Sequence, residues 1–314
     1  MEGEDAPLVV VNPVASQVAD AGRRARVVES AVRAVEGRTG RTPIVVDASP
    51  EAAHEALGRA AAGGAPLAVA IGGDGTVRDT ASALAGSNVP LAIVPAGTGN
   101  VFAAALGIPR RTEDAVRVIA DGRAAPVDLG AASWGRIVDG EAAADGSIAF
   151  AVACGIGFDA RVMATATTEL KRRLGFFAYV VATLHEATRL RPVSFRIEAD
   201  GDVHDVHGLV VLVANCGQLI PGLIGPRHPL DPTDGLLDVI VVTARSVPGG
   251  LIGAAESLLA GGAPHRQPRS LRLRATRVRV VADPREPVQI DGDAHEADWL
   301  EATATPAAIS VLRP

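Results

Sequence analysis

The chain has 314 residues, more than one ordinary hydrophobic core accommodates, which points to two domains. Hydrophobic residues make up 48% of it and exclude a disordered chain, while aromatics make up only 3%, so the cores must be built of Ala, Val, Leu and Ile. A net charge of −6 speaks against a general nucleic-acid binder, whose surface would be basic.

The first 125 or so residues alternate strand and helix signals. The acidic start (Glu2, Glu4, Asp5) is unlike a signal peptide. Leu8 to Val11 is a short apolar run that ends in Asn12-Pro13, and Ala19 to Val35 has apolar residues at helical spacing. Pro43 to Val46 reads as a second strand, after which Ser49 is placed to cap a helix with Pro50 in its first turn. Leu67 to Ile71 is a third strand, closed by Gly72-Gly73-Asp74-Gly75-Thr76, and Leu91 to Val94 a fourth, closed by Pro95-Ala96-Gly97-Thr98-Gly99-Asn100. Thr112 to Ala120 reads as a further helix. Repeated β-α units imply a doubly wound parallel sheet, with ligands at the carboxyl ends of its strands.

Beyond Val127 strands dominate: Ile148 to Ala153, Val193 to Glu198, Val206 to Ala214, Leu236 to Val242, Leu271 to Arg274 and Val278 to Val281. Several alternate apolar and polar residues, as half-buried antiparallel strands do, and a helical insert is expected over Thr167 to Arg189. The expected division is an α/β domain over residues 1–126 and a β-sandwich over 127–303, with a last strand, Ala308 to Leu312, free to return to either. Cys154 and Cys216 sit in apolar runs and read as buried free thiols in a reducing cytoplasm. The most apolar stretch, Leu209 to Gly225, is broken by Asn215, Gln218 and Pro221, so any membrane contact is expected to be peripheral.

Three loops could carry chemistry. Glycines in Gly72-Gly73-Asp74-Gly75-Thr76 let backbone N–H groups approach an anion at a helix start. Asp74 would repel a bare phosphate there, so it suits a magnesium ion or a proton-accepting role; an ordinary β-α turn with a capping Asp is the plainer alternative. The loop is no Walker A, because the Lys-Ser/Thr ending is missing. Gly97-Thr98-Gly99-Asn100 gains weight only from following a strand close behind the first loop. Ile290-Asp291-Gly292-Asp293 offers two carboxylates two residues apart, or a plain Asp-Gly turn.

In order along the chain, these loops together with Val11-Asn12-Pro13, Val127-Asp128-Leu129-Gly130, Gly155-Ile156-Gly157-Phe158-Asp159-Ala160 and Asp231-Pro232-Thr233-Asp234-Gly235-Leu236-Leu237-Asp238 resemble the diacylglycerol kinase catalytic family, which includes bacterial soluble diacylglycerol kinases and sphingosine kinases. The resemblance spans nearly the whole chain and implies an ATP- and Mg²⁺-dependent lipid kinase of lipid metabolism and phospholipid biosynthesis. The implied fold is an NAD kinase- and phosphofructokinase-like α/β domain with a β-sandwich, the lipid substrate being met at a membrane surface. For the nucleotide it implies Asn12, Pro13, the loop Gly72, Gly73, Asp74, Gly75, Thr76, Val77 and Arg78, then Gly97, Thr98, Gly99 and Asn100, with Asp47 in a similar position after the second strand. It makes Asp291 the proton acceptor and Asp74, Asp128 and Asp293 the organisers of catalytic magnesium, partly through water. A second, structural magnesium would lie around Asp231, Asp234 and Leu236. The chain departs from the family in having Asp293 where Glu is usual, no glycine in Val14-Ala15-Ser16-Gln17, and Val101 after Asn100.

Two basic clusters could meet anionic lipid: Lys171-Arg172-Arg173 before Leu174 to Tyr179, and Arg266, Arg269, Arg272, Arg274, Arg277 and Arg279. The plainer readings are a core-facing helix with a solvated basic end for the first and, as the default, a solvated strand face for the second. Oligomer formation is compatible with the sequence. The competing functions are a small-molecule or NAD kinase, which shares the Gly-Gly-Asp-Gly loop, and a catalytically silent lipid-binding protein.

Overall fold

The computed structural model describes residues 6–157, 192–217, 230–242 and 271–314. Residue contacts divide the chain into two units, Met1–Leu129 with Pro306–Pro314, and Gly130–Thr305.

The first unit is a parallel sheet covered by helices. Strands β1 (Leu8–Val11), β2 (Ile44–Asp47), β3 (Ala68–Gly72) and β4 (Leu91–Pro95) lie in the order β2-β1-β3-β4. The end of β16 (Trp299–Arg313) joins them in parallel, Val311 opposite Leu91. Every residue of β1, β3 and β4 is buried, as expected of parallel strands with helices on both faces. Helix α1 (Ala21–Thr39) packs with α5 (Thr112–Asp121), and α2 (Pro50–Gly63) with α3 (Asp74–Leu84). The chain steps outward from β1 to β2 and then back across to β3. The strand order therefore reverses between β1 and β3, and such a switch point opens a crevice at the carboxyl ends of the strands.

Local chemistry sets the helix limits. Asp20 caps α1 by accepting the Arg23 N–H at 2.7 Å, two residues later than the apolar pattern suggests. Gly40, in the left-handed region at φ 69°, ends it. Ser49 occupies the N-cap of α2 as expected, but its side chain makes no capping bond.

The second unit holds two antiparallel sheets. One contains β5 (Arg123–Val138), β6 (Glu141–Phe150), β8 (Val193–Ala199), β9 (Asp202–Gly208), β13 (Arg277–Asp283) and β16. The other runs β12 (Leu271–Ala275), β11 (Leu237–Val242), β10 (Val210–Ala214), β7 (Ala153–Gly157), β14 (Val288–Ile290), β15 (Asp293–His295). Phe150, Phe195, Ile197 and Val280 from the first sheet and Ile156, Val213 and Val239 from the second share one buried core, the packing of a β-sandwich.

Two predicted strands are each split in two. Val206 to Ala214 breaks after Gly208, because β9 pairs with β8 in one sheet while β10 lies between β7 and β11 in the other. A Cβ on Gly208 would come within 3.0 Å of both Val241 Cγ1 and the Val242 carbonyl, so glycine serves the close passage between sheets. Ile148 to Ala153 breaks at Ala151-Val152, where the backbone turns its N–H groups to a side chain instead of a neighbouring strand. Cys154 and Cys216 are buried free thiols. The expected helix over Thr167 to Arg189, the cluster from Lys171 to Tyr179, the motif residues Phe158 to Ala160, and Arg266 and Arg269 lie outside the described residues.

Candidate active site

Three loops of the first unit meet at the switch point. Asn12, directly after β1, donates from Nδ2 to Thr76 Oγ1 at 3.0 Å, and its Oδ1 accepts the Val14 N–H at 3.1 Å. Thr76 lies in the first turn of α3 and is buried. A Cβ on Gly97 would stand 2.5 Å from the Gly73 Cα, and one on Gly72 would stand 2.5 Å from the Thr76 Cβ, so glycine lets the two loop backbones meet and leaves room for the Thr76 side chain. Asn100 adopts a left-handed backbone (φ 52°) and closes its own loop, accepting the Gly97 N–H at 2.9 Å and donating to the Gly97 carbonyl at 2.7 Å. Ser16 and Gln17 tie the first loop to the third: the Gln17 N–H donates to the Ala96 carbonyl at 2.9 Å and the Ser16 hydroxyl to the same oxygen at 3.3 Å.

Asp74 stands inside this cluster. Its Oδ1 accepts the Phe102 N–H at 3.1 Å, at the start of α4 (Val101–Ala105), and a Cβ on Gly99 would fall 2.9 Å from its Oδ2. Burial pushes its carboxyl above the ordinary value; backbone N–H groups of Phe102, Val101 and Asn100 offset part of that rise. Thr98 and Gly99 are exposed at the loop tip, and Asp47 is exposed at the end of β2, paired with Val11. The Arg78 guanidinium pairs with Asp79 at 2.9 Å. Asp128 is buried and accepts the Ala307 N–H at 2.7 Å, at a residue of φ 50° in β16. It therefore braces the incoming last strand.

In the second unit, Asp291 and Gly292 form the two-residue turn between β14 and β15, with Ile290 opposite Asp293. Both turn residues have positive φ, 46° and 94°, as a type I′ hairpin requires. The Asp291 carboxylate accepts three successive backbone N–H groups: Ala151 at 2.8 Å, Val152 at 3.0 Å and Ala153 at 2.9 Å. Its own N–H donates to the Ala153 carbonyl at 2.9 Å. From the other side, Asn215 Nδ2 donates to the Ala151 carbonyl at 2.9 Å, and the Asn215 N–H to the Val152 carbonyl at the same distance. Asp293 is exposed one step beyond the turn.

Residues 6–132 match the family model described as "Diacylglycerol kinase catalytic domain", and residues 151–313 match "YegS C-terminal NAD kinase beta sandwich-like domain". A diacylglycerol kinase of Mycobacterium tuberculosis is 33% identical over 270 residues, 83% of this chain and 82% of that protein. The chain belongs to the diacylglycerol kinase family. An uncharacterized protein of Synechocystis is 28% identical over 249 residues, 78% of this chain; the match spans 54% of that relative's length. A solved structure of a putative diacylglycerol kinase from Bacillus anthracis has the same fold, with a TM-score of 0.75 at 22% identity over 99% of this chain and 95% of that one. Membership carries the enzyme class with it, a kinase acting on a lipid alcohol, and implies use of ATP.

The glycine loops and Asp291 are marked in the sequence by their residue types, whereas Ser16, Gln17 and Asn215 carry no such mark of a role at the site. Ser16 and Gln17 belong to the glycine-free stretch Val14 to Gln17, and their side chains link two loops. Asn215 had a signal: a polar residue ending the apolar run from Leu209 to Ala214.

The implied metals fare differently. Magnesium is commonly held by one or two carboxylates plus the nucleotide's phosphates, and the buried carboxylate of Asp74 beside the glycine loops suits that donor chemistry. The structural site does not fit. Asp234 Oδ1 accepts the Leu236 N–H at 3.0 Å and its Oδ2 contacts the Arg274 guanidinium, while Asp231 Oδ1 accepts the N–H and the hydroxyl of Thr233. Among the described residues, no three His, Cys, Asp or Glu side chains gather to hold a metal.

Proposed function

We propose that this chain transfers the γ-phosphoryl group of ATP to the hydroxyl of a membrane lipid, a diacylglycerol or a sphingoid-type lipid. The observation that carries the reading is the junction of Asn12, Gly72–Thr76 and Gly97–Asn100 at the β1/β3 switch point, joined by the Asn12–Thr76 hydrogen bond and the Gly73–Gly97 backbone contact. Backbone N–H groups of the Gly72–Thr76 loop at the start of α3 would hold the phosphates, with Gly97, Thr98 and Arg78 beside them and Asp47 towards the rest of the nucleotide. Such transfer depends on positioning and charge neutralisation more than on covalent help from the protein.

The lipid hydroxyl oxygen bonds to the γ-phosphorus as the bond from that phosphorus to the β,γ-bridging oxygen breaks. ADP leaves with the bridging oxygen, and the hydroxyl proton passes to Asp291. The Asp291 carboxylate is fixed in place by three N–H donors, which would present it to the hydroxyl in one orientation. Asp74 would hold magnesium together with the nucleotide's phosphates, with Asp128 and Asp293 taking part through water, and the ion when bound would offset phosphate charge. Among the described residues, no helix is long and apolar enough to cross a membrane, so a cytoplasmic enzyme would meet its lipid at the bilayer face. Arg272, Arg274, Arg277 and Arg279 are engaged with Asp238, Asp234 and Glu301, which makes this cluster a weak candidate for lipid contact.

The test is incubation of the full chain with ATP labelled at the γ-phosphorus and a total lipid extract, followed by organic-phase separation. Label in a lipid phosphate is expected; label confined to a water-soluble product would reject the reading in favour of a small-molecule kinase.

A further inference from the structure

We propose that Arg274 takes the place of a structural divalent cation in the second unit, so that the Asp231–Leu236 loop is closed by an internal ion-pair network and needs no metal. In the antiparallel register of β11 and β12, Asp238 lies directly opposite Arg274, and Arg272 follows two residues away on the same face. Asp238 is buried, its side chain 4% exposed, and takes Arg272 Nη2 at 2.7 Å and Arg274 Nε at 3.7 Å on one oxygen. The Nη2 of Arg274 extends to Asp234 Oδ2. One guanidinium thus bridges a carboxylate on the strand and one in the loop through separate nitrogens, a geometry that its planar fork suits better than a lysine ammonium does. Two arginines and two aspartates cancel in charge, and both oxygens of Asp234 are occupied. Magnesium requires near-octahedral oxygen ligation at about 2.0–2.1 Å; on Asp234 Oδ2 it would compete with the Arg274 guanidinium and stand beside that positive charge. The inference stands apart from the proposed reaction, because it concerns what folds the loop and is read without nucleotide or lipid.

Thermal melting of the full chain in chelator and in excess MgCl₂ tests it. The wild type is expected to melt at the same temperature in both. Arg274→Gln is expected to melt lower in chelator by more than about 3 °C, and to regain part of that loss in MgCl₂, because its carboxylates become available to the ion. Arg274→Lys, which keeps the charge without the fork, should fall between the two. A rise in the wild-type melting temperature with MgCl₂ that vanishes in Asp234→Asn would overturn the proposal; a rise that persists in Asp234→Asn comes from another site and upholds it. Wild-type melting of Arg274→Gln in chelator would also overturn it. If Arg274→Gln does not fold, the comparison of wild type with Asp234→Asn decides alone.

Discussion

Removing the Asp291 carboxylate should cost fold as well as chemistry. Ala151 and Ala153 are 1% and 4% exposed, so Asp291→Ala strands two buried N–H donors. Each such donor costs about 1–3 kcal/mol, or about 2–6 kcal/mol together, against a total stability of about 5–15 kcal/mol for a domain. The turn adds to this, since Asp291 sits at φ 46°, where alanine is disfavoured by about 1–2 kcal/mol. Asp291→Asn separates the two roles. Asn tolerates the left-handed turn, and its carbonyl oxygen can still accept from Val152 and Ala153, which share Oδ1 in the wild type. Only the Ala151 donor is left facing an amide N–H₂, a loss of about 1–3 kcal/mol. Urea unfolding of the three proteins, with phosphoryl transfer measured alongside, is the assay. The expected order of stability is wild type, then Asn, then Ala, with transfer abolished in Asn although most stability survives. An alanine variant as stable as wild type would refute the anchoring of residues 151–153, and a fully active Asn variant would refute the proton-accepting role.

Asp74→Asn should stabilise the protein at neutral pH while abolishing transfer. A carboxyl whose folded pKa lies above its ordinary 3.8 makes folding less favourable as pH rises through that window, and costs nothing below 3.8; melting curves should therefore show the gain at pH 7 shrinking as the pH approaches 3.8. Gly97→Ala places a Cβ 2.5 Å from the Gly73 Cα and should cost about 1–3 kcal/mol of stability and raise KM for ATP, read by melting and steady-state kinetics. Asn12→Ala removes the link between the first two loops and should lower stability by about 0.5–1.5 kcal/mol and weaken ATP binding, measured by titration calorimetry.

Much of the first unit was legible in the sequence because its determinants are local. Apolar runs ending in Asn12, Gly72 and Pro95 mark parallel strands, and their loops fall together once the strand order is fixed. The second unit resisted where long-range contacts decide. The break at Ala151 is made by a carboxylate 140 residues away, and no nearby residue announces it. Gly208 looks like any strand glycine until two sheets are packed around it. The hairpin of β5 and β6 was missed although Asp139-Gly140 is a good type I′ turn signal, because Glu141 to Ser147 lacks apolar alternation. The shared face of Arg272 and Arg274 was readable from period-two spacing, but Asp238 as a partner follows only from the register of β11 on β12, and Asp234 only from the path of the loop before β11.

Hydrogen exchange of the full chain with and without magnesium-ATP bears most directly on the central claim, that the glycine loops of the first unit hold the nucleotide. Slowed exchange in peptides covering Gly72 to Arg78 and Pro95 to Asn100 is expected. Unchanged exchange in both loops, with protection elsewhere in the chain, would contradict it.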